Sequence, residues 1–385
     1  MGRFGDGLGL SADVLRAADD AVAQAVEPLG DRTPDLLVCF ASGADLDEVG
    51  PRIAERTGAR AMLGCTAGGV IGGGRGVEGV TAVSVWAAVL PEVRLRTFHL
   101  EVMRSQEGMA VVGLPERVDD EVAVLLADPY SFPADGFISR ANTSLEGLPI
   151  VGGMASGQRG PGETRLWVDG RTALRGAVGV LLAGDVRART IVSQGCRPVG
   201  PAMTVTAAAG NVVQGLAGQG ALSKVQQLLG DLSPEDQALA SHGLQLGIAM
   251  DEYAEEHDFL VRAILGTEPE SGGIVVGDLV EVGSTVRLQI RDADAADADL
   301  RSLLLRFRNE THDAPVGGAL LFSCNGRGAA MFGPTHGGAD HDERLVRAEL
   351  AAQGVAGFFA GGEIGPVAGR NHLHGFTASI LTFGA

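Results

Sequence analysis

Along this chain, short continuous apolar runs alternate with amphipathic stretches. Ser11-Ala-Asp-Val opens an amphipathic segment that predicts a helix to about Val26, closed by Pro28 and Gly30. Leu36–Ala41 is apolar throughout and of strand length, as expected for a strand buried on both faces. Asp45 and Glu48 have the spacing of a capping box and predict a helix that ends at Gly58.

The same order then recurs. Gly64-Cys-Thr-Ala-Gly-Gly69 follows Met62-Leu63, Gly152-Gly-Met-Ala-Ser-Gly157 follows Ile150-Val151, and Ala360-Gly-Gly-Glu-Ile-Gly365 follows Phe358-Phe359. Each loop is preceded by a helix candidate ending at Gly58, Gly147 or Gly354. Each is followed by a strand candidate opening at Gly79, Gly176 or Gly375. Buried-strand runs at Leu36–Ala41, Val122–Ala127 and Ala319–Ser323 start the three copies. Counting glycines aligns Gly69 with Gly365 and Gly79 with Gly375. The repeat argues for duplication, read as two pseudo-equivalent halves with the middle copy completing the first. The spacing is too irregular for a solenoid.

Between the copies the pattern changes. Ser193–Thr206 is rich in glycine and proline and reads as a turn-laden crossing. Helices are predicted over 220–229, from Ser233-Pro-Glu-Asp with serine as N-cap, and from Ala293 to near Arg308. Strands are predicted at 244–250, 259–265, 273–276 and 285–290. The expected fold is α/β, with mixed sheets covered by helices and a face-to-face sandwich as one arrangement of the halves.

Composition narrows the function. With 48 acidic against 30 basic residues the formal charge is −18, and aromatics are 4%. That leaves no basic stripe for phosphates and little stacking surface, which argues against nucleic acid. No apolar run approaches the length of a bilayer-spanning helix and no basic-then-apolar leader opens the chain, so the expectation is a cytoplasmic protein. Cys39, Cys65, Cys196 and Cys324 lack the spacing of a zinc site or a disulfide framework. Glycine, at 58 of 385 residues, is about twice its ordinary use and gathers where apolar runs end.

Gly74-Arg-Gly76-Val-Glu-Gly79 satisfies a dinucleotide-binding pattern, but a strand follows it where that mechanism needs a helix. More chemistry lies near the third loop. Ser323-Cys-Asn-Gly-Arg-Gly328 sits at a strand end, where Arg327 could clamp a carboxylate and Asn325 could fix an amide. The alternative is an Asn-Gly turn with a surface arginine. Cys324 reads as an inert buried thiol; as a nucleophile it would need a base, with His374 as candidate. Glu363 stands among small residues and needs either an internal partner, for which Arg370 is the candidate, or a ligand ammonium. His336, His341 and Asp342 could suggest a metal, but helix capping by Asp340 or Asp342 accounts for them more simply.

Leu63–Gly69 with Ala82-Val-Ser-Val resembles the FIST N-terminal domain. Gly277-Asp278, Arg291-Asp292-Ala293, Phe322–Arg327, Gly357–Pro366 and Leu373–Ser379 resemble the FIST C-terminal domain. The resemblance is collinear from about Pro34 to Phe383 and divides the chain into domains at 1–205 and 206–385. It implies a sensory module that binds a small ligand, with amino acids or their derivatives as suggested ligands, and not an enzyme. No output segment remains in the chain, so a signal would pass to a separate partner protein. It also implies two alternatives: a haem-based nitric-oxide sensor, using His312, His336, His372 or His374, or a scaffold like a eukaryotic F-box relative. The expected ligand site joins Gly64, Cys65, Thr66, Gly68 and Gly69 to Cys324, Asn325, Arg327, Glu363, Gly365, Arg370 and His374.

Overall fold

In a computed structural model describing residues 2–105, 108–250 and 259–385, the chain forms two compact units. The larger comprises Met1–Ser193, Leu300–Leu373 and Thr377–Ala385; the smaller comprises Gln194–Asp299 and His374–Phe376. Among the described residues, no helix is long and apolar enough to cross a membrane.

The larger unit begins with a strand that the sequence pattern hides, β1 (Arg3–Leu10), where glycine occupies every other position. Helix α1 (Val14–Val26) lies directly on that glycine stripe. A Cβ on Gly5, Gly7 or Gly9 would come 2.2, 2.1 or 1.8 Å from the carbonyl oxygens of Ala25, Ala21 and Ala17. Strand spacing of two and helix spacing of four thus mesh through residues without bulk. The Asp13 side chain caps α1 by accepting from the N–H groups of Leu15 and Arg16. Then follow β2 (Leu36–Ser42), α2 (Val49–Thr57), β3 (Ala61–Thr66), the hairpin β4 (Gly69–Gly72) and β5 (Arg75–Glu78), and β6 (Ala82–Val89). The expected capping box does not form. Asp45 is left-handed at φ 56° and a 3-10 turn, Leu46–Glu48, precedes α2, whose N-cap Glu48 makes no side-chain cap bond.

A second copy holds β7 (Val93–Ser105), β8 (Gly108–Val112), β9 (Asp120–Ala127), α3 (Ala134–Ser144), β10 (Ile150–Met154), the hairpin β11 (Leu166–Val168) and β12 (Arg171–Ala173), and β13 (Ala177–Gly184). A third opens with β14 (Ala188–Gln194), after which the chain builds the smaller unit. That unit holds β15 (Cys196–Ala209), β16 (Val212–Leu216), β17 (Gln219–Gly220), α4 (Ala221–Asp231), α5 (Pro234–Ser241), β18 (Leu244–Ala249), β19 (Phe259–Glu268), β20 (Gly273–Val276) and β21 (Thr285–Arg291). Helix α6 (Ala293–Glu310) leads back. The third copy resumes with β22 (Val316–Cys324), α7 (Ala329–Phe332), α8 (His341–Leu350), β23 (Gly354–Ala360), the hairpin β24 (Glu363–Val367) and β25 (Arg370–His374), and β26 (Thr377–Gly384).

Three sheets of the same order result: β1-β6-β2-β3-β11-β12, β8-β7-β13-β9-β10-β24-β25 and β14-β26-β22-β23-β4-β5. The middle copy, expected to complete a first half, has a sheet of its own. Each copy also lends its hairpin to another copy's sheet in a cycle, first to third, second to first, third to second. Parallel pairing fixes the equivalence. Gly64, Gly152 and Gly357 face Cys39, Leu125 and Leu321, and in each a Cβ would come within 2.5 Å of that partner's carbonyl oxygen. Carried along this register, Gly69 corresponds to Gly362. That corrects the Gly69–Gly365 alignment, because strand pairing rather than glycine counting sets the frame.

Side chains from all three sheets fill one core, where Phe40 stacks on Phe358 at 4.7 Å and meets Phe322 edge-on at 6.3 Å. Helices cover the outer faces: α1 and α2 on the first sheet, α3 on the second, α6 and α8 on the third. In the smaller unit, β15 pairs with β21 along its first part and with β16 along its last, closing a six-stranded antiparallel barrel. The expected crossing at Ser193–Thr206 is therefore mostly strand. Its Gly200-Pro201 falls where the β15–β21 register shifts, a place in a sheet that tolerates proline. Just before α6, whose first turns carry Asp294, Asp297 and Asp299, Asp292 pairs with Arg197 at 2.5 Å and accepts from the N–H of Ala295.

Candidate functional site

The small-residue loops meet. A Cβ on Gly68 would lie 3.2 Å from Gly157, and the Gly68 N–H donates to Ser156 Oγ at 3.0 Å. The Ser156 hydroxyl donates to the Phe359 carbonyl, and Gly361 N–H donates to the Met154 carbonyl at 2.9 Å. These groups are occupied by one another. Gly64 packs on Cys39 and Trp167, and Cys65 is wholly buried with its thiol pushed well up by burial and by Cys39. Thr66 Oγ1 accepts from the Arg165 N–H, Gly69 opens β4, and Gly365 lies tight against Ser379 and Val192.

The polar chemistry gathers where β22 ends. Its buried run stops at Ser323-Cys324, and the turn is closed by Arg327 N–H to the Cys324 carbonyl at 2.8 Å. This turn folds Arg327 inward. Only 1% exposed, it forks onto Asp342, Nε to Oδ2 at 2.9 Å and Nη2 to Oδ1 at 2.8 Å. The carboxylate that Arg327 clamps is thus the chain's own. Ser323 Oγ donates to Asp342 Oδ2 at 2.7 Å, and His341 Nδ1 lies 2.9 Å from Oδ1. Burial works to raise the Asp342 pKa, but Arg327 and His341 outweigh it and hold the carboxyl well below the usual range. Phe332 stacks on His341 at 3.6 Å and lies under the Arg327 guanidinium.

Asp342, expected as a helix cap or a metal candidate, is instead the partner of Arg327. It is not the N-cap of α8, and Asp340, which is, makes no side-chain cap bond and instead accepts from Gly76 N–H. A signal was available. Leu345 and Val346 must face the core, so Asp342, three and four positions earlier, shares their face. Among the described residues, no group of three or more His, Cys, Asp or Glu side chains could hold a metal.

Glu363 lies across the turn, at the first residue of β24. By register it occupies the place that Val70 and Leu166 fill in the other two hairpins, both wholly buried. Glu363 is also fully buried. Thr377 gives Oε2 both its N–H, at 3.1 Å, and its hydroxyl, at 2.9 Å; the Cys324 thiol also bears on the carboxyl, and Oε1 meets no hydrogen-bonding nitrogen or oxygen among the described residues. Burial pushes its pKa up to about 8, against the opposing pull of Thr377, the Cys324 thiol and the Arg327 charge. The shift favours the protonated acid around neutral pH. Arg370 is exposed and is not the internal partner anticipated for it. Asn325 is exposed, its N–H bound to the Ala360 carbonyl, and Cys324 Sγ accepts from Gly326 N–H at 3.4 Å. His374 is buried in the short segment belonging to the smaller unit; His312 is exposed, and His336 and His372 are half-buried.

Comparison with known proteins identifies the family. Residues 35–219 match the FIST N domain and residues 221–366 the FIST C domain. An uncharacterized protein of Mycobacterium tuberculosis is 43% identical over 388 residues, covering 99% of each chain. One from Mycobacterium bovis is 40% identical over 388 residues, covering 99% of this chain and 98% of its own. With both domains matched across most of its length, the chain belongs to the FIST family.

Proposed function

We propose that this protein is a sensory module that reversibly binds a small molecule at Glu363 and reports occupancy to a separate partner protein. The observation that carries the reading is the buried Oε1 of Glu363. A carboxyl placed where two equivalent copies use valine and leucine is costly unless something compensates, and among the described residues Oε1 of this one meets no hydrogen-bonding nitrogen or oxygen. Perturbed acids of this kind concentrate at functional sites.

The ligand supplies an acceptor oxygen, as the carbonyl or carboxylate of an amino acid derivative would. Protonated Glu363 donates to it from Oε1, and the Arg327–Asp342 pair fixes the turn that carries Cys324 beside it. This reverses the polarity expected from sequence, in which Arg327 held a ligand carboxylate and Glu363 an ammonium. Arg327 is engaged internally, and Glu363 carries a proton.

The test begins with mass spectrometry of small molecules released from purified protein, followed by calorimetric titration of the compound found. Affinity should fall as pH rises through about 8, be retained without that pH dependence in Glu363→Gln, and drop on the order of tenfold in Glu363→Ala. Affinity that rises with pH would instead assign an ammonium to Glu363 and overturn the reading.

A further inference from the structure

We propose that a second site, on the third sheet, takes a small carboxylate with a short apolar tail. The end of α6, the chain after it, β14 and the end of β26 border a half-open cleft of about 480 Å³ that shares no lining residue with the Glu363 cluster. The volume lies within the roughly 300–1,000 Å³ of small-molecule sites. Its apolar lining includes the buried Phe307 and Val316 and the exposed Ala314.

The charged groups around this cleft differ in what they have free. Arg187 is held by Asp185 at 2.9 Å, and the Thr311 hydroxyl is spent on the Phe307 carbonyl at 2.9 Å. Arg189 and His312 have side chains with no hydrogen-bond or ion-pair partner among the described residues. Both are nonetheless anchored through the backbone. The Arg189 carbonyl accepts from the Thr382 hydroxyl at 3.2 Å. His312 and Asp313 stand left-handed at φ 52° and 54°, in a turn tied by Arg308 to Asp313 at 2.9 Å. A guanidinium fork and an imidazole on fixed backbone beside an apolar lining suit a carboxylate head with a hydrocarbon tail. Glu310, also in the lining, opposes such a ligand and gives the proposal a sign.

The experiment is calorimetric titration of the intact protein with hexanoate, hexanamide and hexylamine. Hexanoate should bind with a Kd below about 1 mM and at least tenfold more tightly than the other two. Arg189→Ala should weaken hexanoate about tenfold, Ala314→Trp should abolish binding by filling the cleft, and Glu310→Gln should tighten it about twofold to threefold. Glu363→Gln should leave hexanoate binding unchanged, separating this site from the one proposed above. All four variants should keep the wild-type circular dichroism spectrum and melting temperature to within a few degrees. Absence of hexanoate binding, equal binding of hexanamide, or tighter binding of hexylamine would each overturn the proposal, as would wild-type affinity in both Arg189→Ala and Ala314→Trp.

Discussion

The hairpins of the first and third copies enter their host sheets by the same register, yet Val70 stands at one entry and Glu363 at the other. At Val70 the entry is closed by packing alone, in the common core. At Glu363 the chain surrounds a carboxyl with Thr377, Cys324 and the Arg327–Asp342 pair, and among the described residues no nitrogen or oxygen group hydrogen-bonds its Oε1. Three copies of one backbone plan thus separate structure from chemistry. The first two show what the position needs in order to fold, and the third shows what has been added.

The largest expected effect comes from removing the cation beside the third entry. Arg327→Ala strands Asp342 as a buried, unpaired carboxylate and should cost about 3–5 kcal/mol in urea denaturation. The double change Arg327→Met with Asp342→Leu should recover most of that loss. A double variant as unstable as the single would mean that packing of the turn, not charge, is what matters there.

Making the third entry like the first is the next test. Relative to wild type, Glu363→Leu should gain about 3–5 kcal/mol of stability between pH 5 and pH 9, where the wild-type carboxyl is ionised, while abolishing ligand binding. Destabilisation at both pH values would show that the third entry has been rebuilt around its acid.

The two buried carboxyls should also give opposite pH dependences. Glu363 holds its proton more tightly when folded, so its contribution to stability is complete below about pH 4.5 and is lost as pH rises toward 8. The slope reaches at most about 1.4 kcal/mol per pH unit. Asp342 is shifted the other way, so its contribution is complete above about pH 4 and is lost as the medium becomes more acid. Denaturation midpoints for wild type and Glu363→Gln between pH 4.5 and 8.5 should diverge, with the wild type falling relative to the variant. Parallel curves would place the Glu363 pKa near its ordinary value.

Smallest of all should be Cys324→Ser, at about 1 kcal/mol, because a hydroxyl can replace the thiol as acceptor for Gly326 N–H. Loss of ligand binding in this variant alone would move the reactive centre from Glu363 to the thiol.

Much of this protein follows from local sequence. Buried strands such as β2 and β22 are legible as unbroken apolar runs, and Ser233-Pro234 opens α5 because the Ser233 hydroxyl accepts from the Asp236 N–H, which needs no tertiary partner. The recurrence of strand, helix, strand, small-residue loop and strand is legible too, because glycine is required wherever one backbone crosses another closely. Three things were decided only in the fold. Strand β1 was hidden because its glycine stripe has meaning only against the alanines of α1. The exchange of hairpins was hidden because two-stranded segments of three to five residues take their partners from up to about 290 residues away, and short strands carry no mark of whom they pair with. The roles of Arg327 and Glu363 were reversed for the same reason. A charge acquires its partner and its pKa from burial and neighbours, and Asp342 and Thr377 reach those neighbours only through the packing of α8 and β26 against the end of β22.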